Sequence, residues 1–201
     1  MNVLQILAIC GMLSPIIYTL AWIIGGFIVE DYDHIRDDVS SLFAVRAPNR
    51  LLFSSFFISC SALSFAFSFS LLWGIENDGS IVGPVLFLIS TFIGLLVTLF
   101  FPLDEDGKLV TFRGKMHLIL IVISGILIMI SMIFLWFRMK SLEGWIGFGW
   151  FSIVSVPVVL ILMAISGKFG GGPYMGLAER FMVSYFQVYY FVIALMVFIR
   201  N

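Results

Sequence analysis

Apolar residues along this chain gather into six long runs, and nearly all the charge lies in the short stretches between them. Each run is roughly 20 residues or longer, the length at which a helix crosses the hydrocarbon core of a bilayer. Within a run the apolar positions are continuous. The strands of a membrane β-barrel would instead alternate over about 10 residues. The pattern predicts helices over 3–29, 50–75, 81–101, 114–139, 145–166 and 177–199. Pro15 in the first and Pro157 in the fifth each remove a backbone hydrogen bond and should loosen the helix locally. The second run carries Ser61, Ser64 and Ser68 on one helical face, with Ala62 and Ala66 beside them. Small residues let helices approach, so the stripe reads first as a packing seam and second as a polar track that needs a facing partner. The expected fold is all-α: a polytopic bundle of six transmembrane helices with short connections, forming one transmembrane domain over 1–201.

Composition supports lipid as the solvent. The 201 residues are 61% hydrophobic and 11% charged, with a mean hydropathy of +1.12. A soluble domain averages about 45–50% apolar and about 25% charged. The net charge of −1 provides no general basic field, so nucleic acid is not an expected partner. Cys10 and Cys60 sit inside apolar runs and read as small packing residues. The first run is too long and lacks the basic leader of a cleavable signal peptide, so it should remain as the first helix.

Lysine and arginine counts bear on orientation. Connections 1, 3 and 5 carry Arg36, Arg46, Arg50, Lys108, Arg113, Lys115, Lys168 and Arg180, eight in all, against Arg138, Lys140 and Arg200 on the other side. The positive-inside rule then puts connections 1, 3 and 5 in the cytoplasm and both termini outside the cell membrane.

The polar residues capable of chemistry are gathered on the same side. Asp31, Asp33, His34, Asp37, Asp38, Asp104, Glu105, Asp106, Arg113, His117, Glu179 and Arg180 all belong to connections 1, 3 and 5 or the helix ends beside them. The opposite side holds Glu76, Asp78, Arg138, Lys140, Glu143 and Arg200. No acid or base lies at mid-depth, which argues against a proton-coupled pump. Connection 1, residues 30–49, is polar at first and amphipathic afterwards. Ile35, Val39, Leu42, Phe43 and Val45 suggest a short interfacial helix capped by Asp37 or Asp38.

The segment around 100–117 carries the sharpest candidates. Arg113 and His117 are four apart and share a helical face, and Asp104 is near enough in sequence to return to it. Asp104 and His117 are candidate acid/base partners, with Arg113 or Arg180 holding a phosphate; the alternative is an interfacial ion cluster that anchors helix ends. No metal is expected, because one histidine with nearby carboxylates is an incomplete ligand set. No cofactor is expected either, since two histidines do not supply facing haem ligands at these positions. The glycines at 167–176 lack the strand and the Lys-Ser/Thr of a phosphate-binding loop.

Several short motifs occur in a definite order. They are Gly11 with Ser14-Pro15 and Tyr18, Tyr32, then Val39-Ser40-Ser41-Leu42 followed by Pro48-Asn49, Gly94, Phe101-Pro102 with Asp104, Gly114 with His117, and Gly176-Leu177 with Glu179-Arg180. In this the chain resembles the DUF998 family of six-helix prokaryotic membrane proteins, whose biochemical function is not established. The family often has histidine where this chain has Arg113 and aspartate where it has Ser41, departures that argue further against metal-dependent hydrolysis. The family is itself distantly similar to the Frag1/DRAM/Sfk1 group, linked to membrane-lipid handling. The apolar bulk, the incomplete ligand set and the arginine-bearing headgroup face fit a non-enzymatic protein that binds a membrane lipid or a membrane-protein partner. Ser40 joins Arg113, Glu179 and Arg180 as a candidate ligand-binding residue. Two further readings are a small hydrolase or transferase acting on a lipid-linked substrate, and a channel or transporter.

Overall fold

A computed structural model describes residues 1–75, 79–107 and 109–201. Glu76, Asp78 and Lys108 therefore lie outside the described residues. Six helices follow one another, each long and apolar enough to cross a membrane: α1 (Val3–Ile28), α2 (Arg50–Trp73), α3 (Val82–Phe100), α4 (Phe112–Met139), α5 (Ile146–Phe169) and α6 (Met175–Arg200). Among the described residues there is no strand.

Local chemistry sets the helix ends. At the start of α1 the Asn2 side chain accepts from the Gln5 amide at 2.9 Å, and the Gln5 side chain accepts from the Asn2 amide at 3.1 Å. This reciprocal box satisfies two of the first-turn donors. At the start of α4 the Thr111 hydroxyl accepts from the Gly114 amide at 3.1 Å, which draws the helix two residues ahead of its expected start at 114. Helix α1 runs unbroken through Pro15, and α5 through Pro157.

The interfacial helix expected over 35–45 is reduced to a single 3-10 turn, Ser40–Phe43. The reason is competition for backbone groups. The carbonyls of Ile35 and Arg36 accept from the Leu177 and Gly176 amides at 2.9 and 3.2 Å, and the Val45 amide donates to Leu103 at 2.9 Å. Connection 1 thereby closes the first turn of α6, whose amides have no partner within their own helix.

The helices pack sequentially, and α1 closes the circuit against α6. Hydroxyls pair across the seams. Ser14 meets Ser64 at 2.7 Å between α1 and α2, Ser90 meets Ser124 at 2.7 Å between α3 and α4, and Ser152 meets the Tyr189 hydroxyl at 3.0 Å between α5 and α6. The serine stripe of α2 is thus divided. Ser64 serves a seam, Ser68 donates to its own helix at Phe65, and Ser61 faces a cleft described below. The interior towards connections 2 and 4 is filled by Phe67, Phe87, Met132, Leu135, Tyr189 and Val197. A second apolar cluster, with Ala21, Leu42, Phe43, Phe53 and Phe57, seats connection 1 on α1 and α2. Large apolar side chains such as Phe27 and Leu51, 85% and 87% exposed, face outward, as a hydrocarbon surround requires.

Candidate functional site

Connections 1 and 3 and the starts of α4 and α6 meet at one rim. Arg180 acts as the tie. Its guanidinium donates to the carbonyls of His34 and Asp37 at 2.6 and 2.8 Å and to the Tyr32 hydroxyl, and it lies over the rings of Trp22 and Tyr32. The neighbouring Glu179 accepts from the Val39 amide at 2.8 Å. Both side chains of the Glu179-Arg180 pair are therefore spent on connection 1, and among the described residues neither bonds to Asp104. His34 packs edge-on against Trp22 and Tyr32, over Gly26. Burial lowers its pKa and raises that of the Tyr32 phenol. Asp37 is held below the usual carboxylate range by the Arg36 guanidinium, 2.8 Å away. Asp38 is buried and pushed upward by that burial, although it accepts from the Ser41 amide at 2.8 Å.

Asp104 sits beneath the turn that leads into α4. One carboxylate oxygen accepts from the Thr111 hydroxyl at 2.6 Å, and the other from the amides of Val110 and Thr111 at 3.0 and 2.8 Å. The Thr111 hydroxyl, more than any charge, holds the Asp104 carboxyl below its ordinary pKa. A Cβ at Gly114 would collide with this carboxylate, so glycine there is what lets Asp104 reach the helix start.

His117 has other partners. Nδ1 lies 2.6 Å from the Phe101 carbonyl and Nε2 lies 3.2 Å from the Ser40 hydroxyl. A carbonyl only accepts, so Nδ1 carries the proton, and in the neutral ring Nε2 presents a lone pair to Ser40. The structure therefore pairs His117 with Ser40 and couples Asp104 to Thr111. No hydrogen bond joins Asp104 and His117 among the described residues. Arg113 is one turn nearer the aqueous end than His117. It is half-buried and makes no hydrogen bond or ion pair among the described residues, and its Nε is fully shielded.

Ser40 and His117 stand at the mouth of a cleft of about 170 Å³ between α1, α2, α3 and α4. Phe43, Phe57, Val97 and Ile121 make apolar walls, and the hydroxyls of Tyr18, Ser61, Thr98 and Ser124 punctuate them. Gly94 lines it too, and a Cβ added there would meet nothing within 4 Å. From His117 to Ser124 is seven residues, so the cleft descends about 10 Å into the membrane. The sequence does not mark its wall residues as a set. Gly94 and the Ser61 stripe stand out in the sequence, but nothing in their spacing shows that they face the same space. Among the described residues no cluster of three or more potential metal ligands occurs.

A family model described as a protein of unknown function (DUF998) matches residues 12–196. No curated protein and no solved structure matches the chain.

Proposed function

The chain belongs to the DUF998 family of proteins of unknown function, and from that starting point we propose that it binds an anionic membrane lipid, one acyl segment lying in the cleft between α1 and α4. The observation that carries this reading is a single vertical sequence on α4. Arg113 is a cation that makes no hydrogen bond or ion pair among the described residues, His117 with Ser40 forms a polar pair one turn deeper, and an apolar cleft lies below. Phosphate, ester and hydrocarbon follow one another in the same order in a glycerophospholipid. Arg113 would hold the phosphate by charge-assisted hydrogen bonds. Pockets for drug-sized molecules run to about 300–1,000 Å³. At about 170 Å³ this cleft suits a chain segment and leaves the rest of the lipid in the bilayer.

The test is native mass spectrometry of protein extracted with its lipids. Wild type is expected to retain an anionic phospholipid. Gly94→Phe fills the open wall and should release it. Arg113→Gln should shift the retained species towards zwitterionic lipids. An identical lipid complement in all three proteins would refute the reading. A channel is disfavoured by Phe87, Met132 and Tyr189, each fully buried, which fill the bundle beyond the cleft.

A further inference from the structure

We infer that Ser40 and His117 form a nucleophile–base pair able to cleave an acyl ester whose chain lies in the cleft, a step that rests on the lipid reading above. Three observations converge. The Ser40 Oγ is 3.2 Å from His117 Nε2, within reach for proton transfer. The Phe101 carbonyl, 2.6 Å from Nδ1, fixes the ring and its tautomer, the part an aspartate plays in a serine–histidine triad. Both side chains also line the cleft, so a substrate carbonyl can approach them.

Ser40, itself half-buried, differs from the buried serines in its partner. Ser14, Ser70, Ser131 and Ser155 each donate to a backbone carbonyl, as lipid-embedded hydroxyls commonly do. Among the described residues Ser40 alone meets an imidazole, and the second histidine, His34, is enclosed by Trp22 and Tyr32. Asp38 is buried two residues before Ser40.

The step balances without a redox partner. Ser40 Oγ bonds to the ester carbonyl carbon while its proton passes to Nε2. The bond from that carbon to the alcohol oxygen then breaks, and the alcohol leaves with the proton from Nε2. Water attacks the acyl-serine, giving its proton to Nε2, and the Oγ–carbon bond breaks as Ser40 recovers that proton. The products are an alcohol and a free fatty acid. Arg113, about 6 Å nearer the surface by helical rise, is placed for the phosphate and not for the ester.

A long-chain alkyl fluorophosphonate tests this on the full protein in nanodiscs, read by intact mass and peptide mapping. Wild type is expected to take up one phosphonyl group, at Ser40, with a rate that falls as the pH is lowered and Nε2 becomes protonated. Ser40→Ala should remain unmodified, and His117→Gln should react about 100-fold more slowly or less. The wild-type pH profile stands even where His117→Gln fails to fold. Modification at another residue, or a rate independent of His117 and of pH, overturns the inference. A wild type left unmodified at Ser40, while Gly94→Phe still releases the lipid, overturns the ester cleavage and leaves the lipid site standing. A lipid content indifferent to Gly94→Phe overturns the site itself.

Discussion

Two aspartates at the same rim carry opposite pH signatures. Asp104 has a folded pKa below its ordinary 3.8 because the Thr111 hydroxyl and two amides favour the charged form. Its contribution to stability is therefore full above 3.8 and disappears as the pH falls through the lower folded value. Asp104→Asn should melt below wild type at neutral pH in detergent, and the gap should shrink under acid. Asp38 has a folded pKa above 3.8 because it is buried. Its favourable contribution is largest below 3.8 and declines as the pH rises through the folded value, so Asp38→Asn should melt above wild type at neutral pH. Melting curves of both variants across pH check the two signs together. The sequence shows both aspartates at one rim. It does not show that one is wrapped in donors and the other shut away from water. Thr111 returns to Asp104 across seven residues, and Ser40 reaches His117 across 77, so the partners are set by how the connections fold over the rim.

At the scale of elements, helix ends and seams decide more than helix interiors. The start of α6 abuts connection 1 so closely that a Cβ on Gly176 would strike the Asp37 carbonyl, a backbone atom with little room to move. Gly176→Ala should destabilise by about 1–3 kcal/mol, as overpacking does. Gly94→Ala places its methyl in open space and should gain up to about 1 kcal/mol from helix propensity. Reversible unfolding in mixed micelles separates the two. The serine pairs across the seams are weaker features. Ser14→Ala should cost about 0.6 kcal/mol, typical of interhelical hydrogen bonds in lipid. Six apolar runs are plain in the sequence because hydrocarbon forces every span to satisfy its own backbone as helix. Connection 1 departs from the expected helix for the complementary reason. Its amphipathic spacing is real, but its carbonyls serve α6 and its amides serve Glu179 and connection 3.

For the whole molecule, two crossings separate connection 1 from 3 and 3 from 5, which brings all three to one side. Arg46 and Glu105, 3.1 Å apart, join connections 1 and 3 there, and Arg180 joins connection 1 to α6. Cysteines introduced at Arg46, Glu105 and Gly171 in a background with Cys10 and Cys60 replaced by alanine should all react with an impermeant maleimide from the same face of sealed vesicles. A cysteine at Glu143 should react from the other. Labelling of the first three from different faces would dismantle the shared rim, and with it the lipid site.

The seam between α1 and α6 joins the first helix to the last, and Asn2 even donates to the Asn201 carbonyl at 2.8 Å. During synthesis α1 enters the bilayer before α6, so of the two helices it packs against α2 arrives first. Its other flank must wait in lipid, or against an insertion chaperone, until α6 emerges from the ribosome. Chains halted before α6 would leave that flank bare and leave connection 1 without Arg180 to fasten it. Loss of α6 should therefore uncover the α1 flank and unfasten connection 1 in a single event.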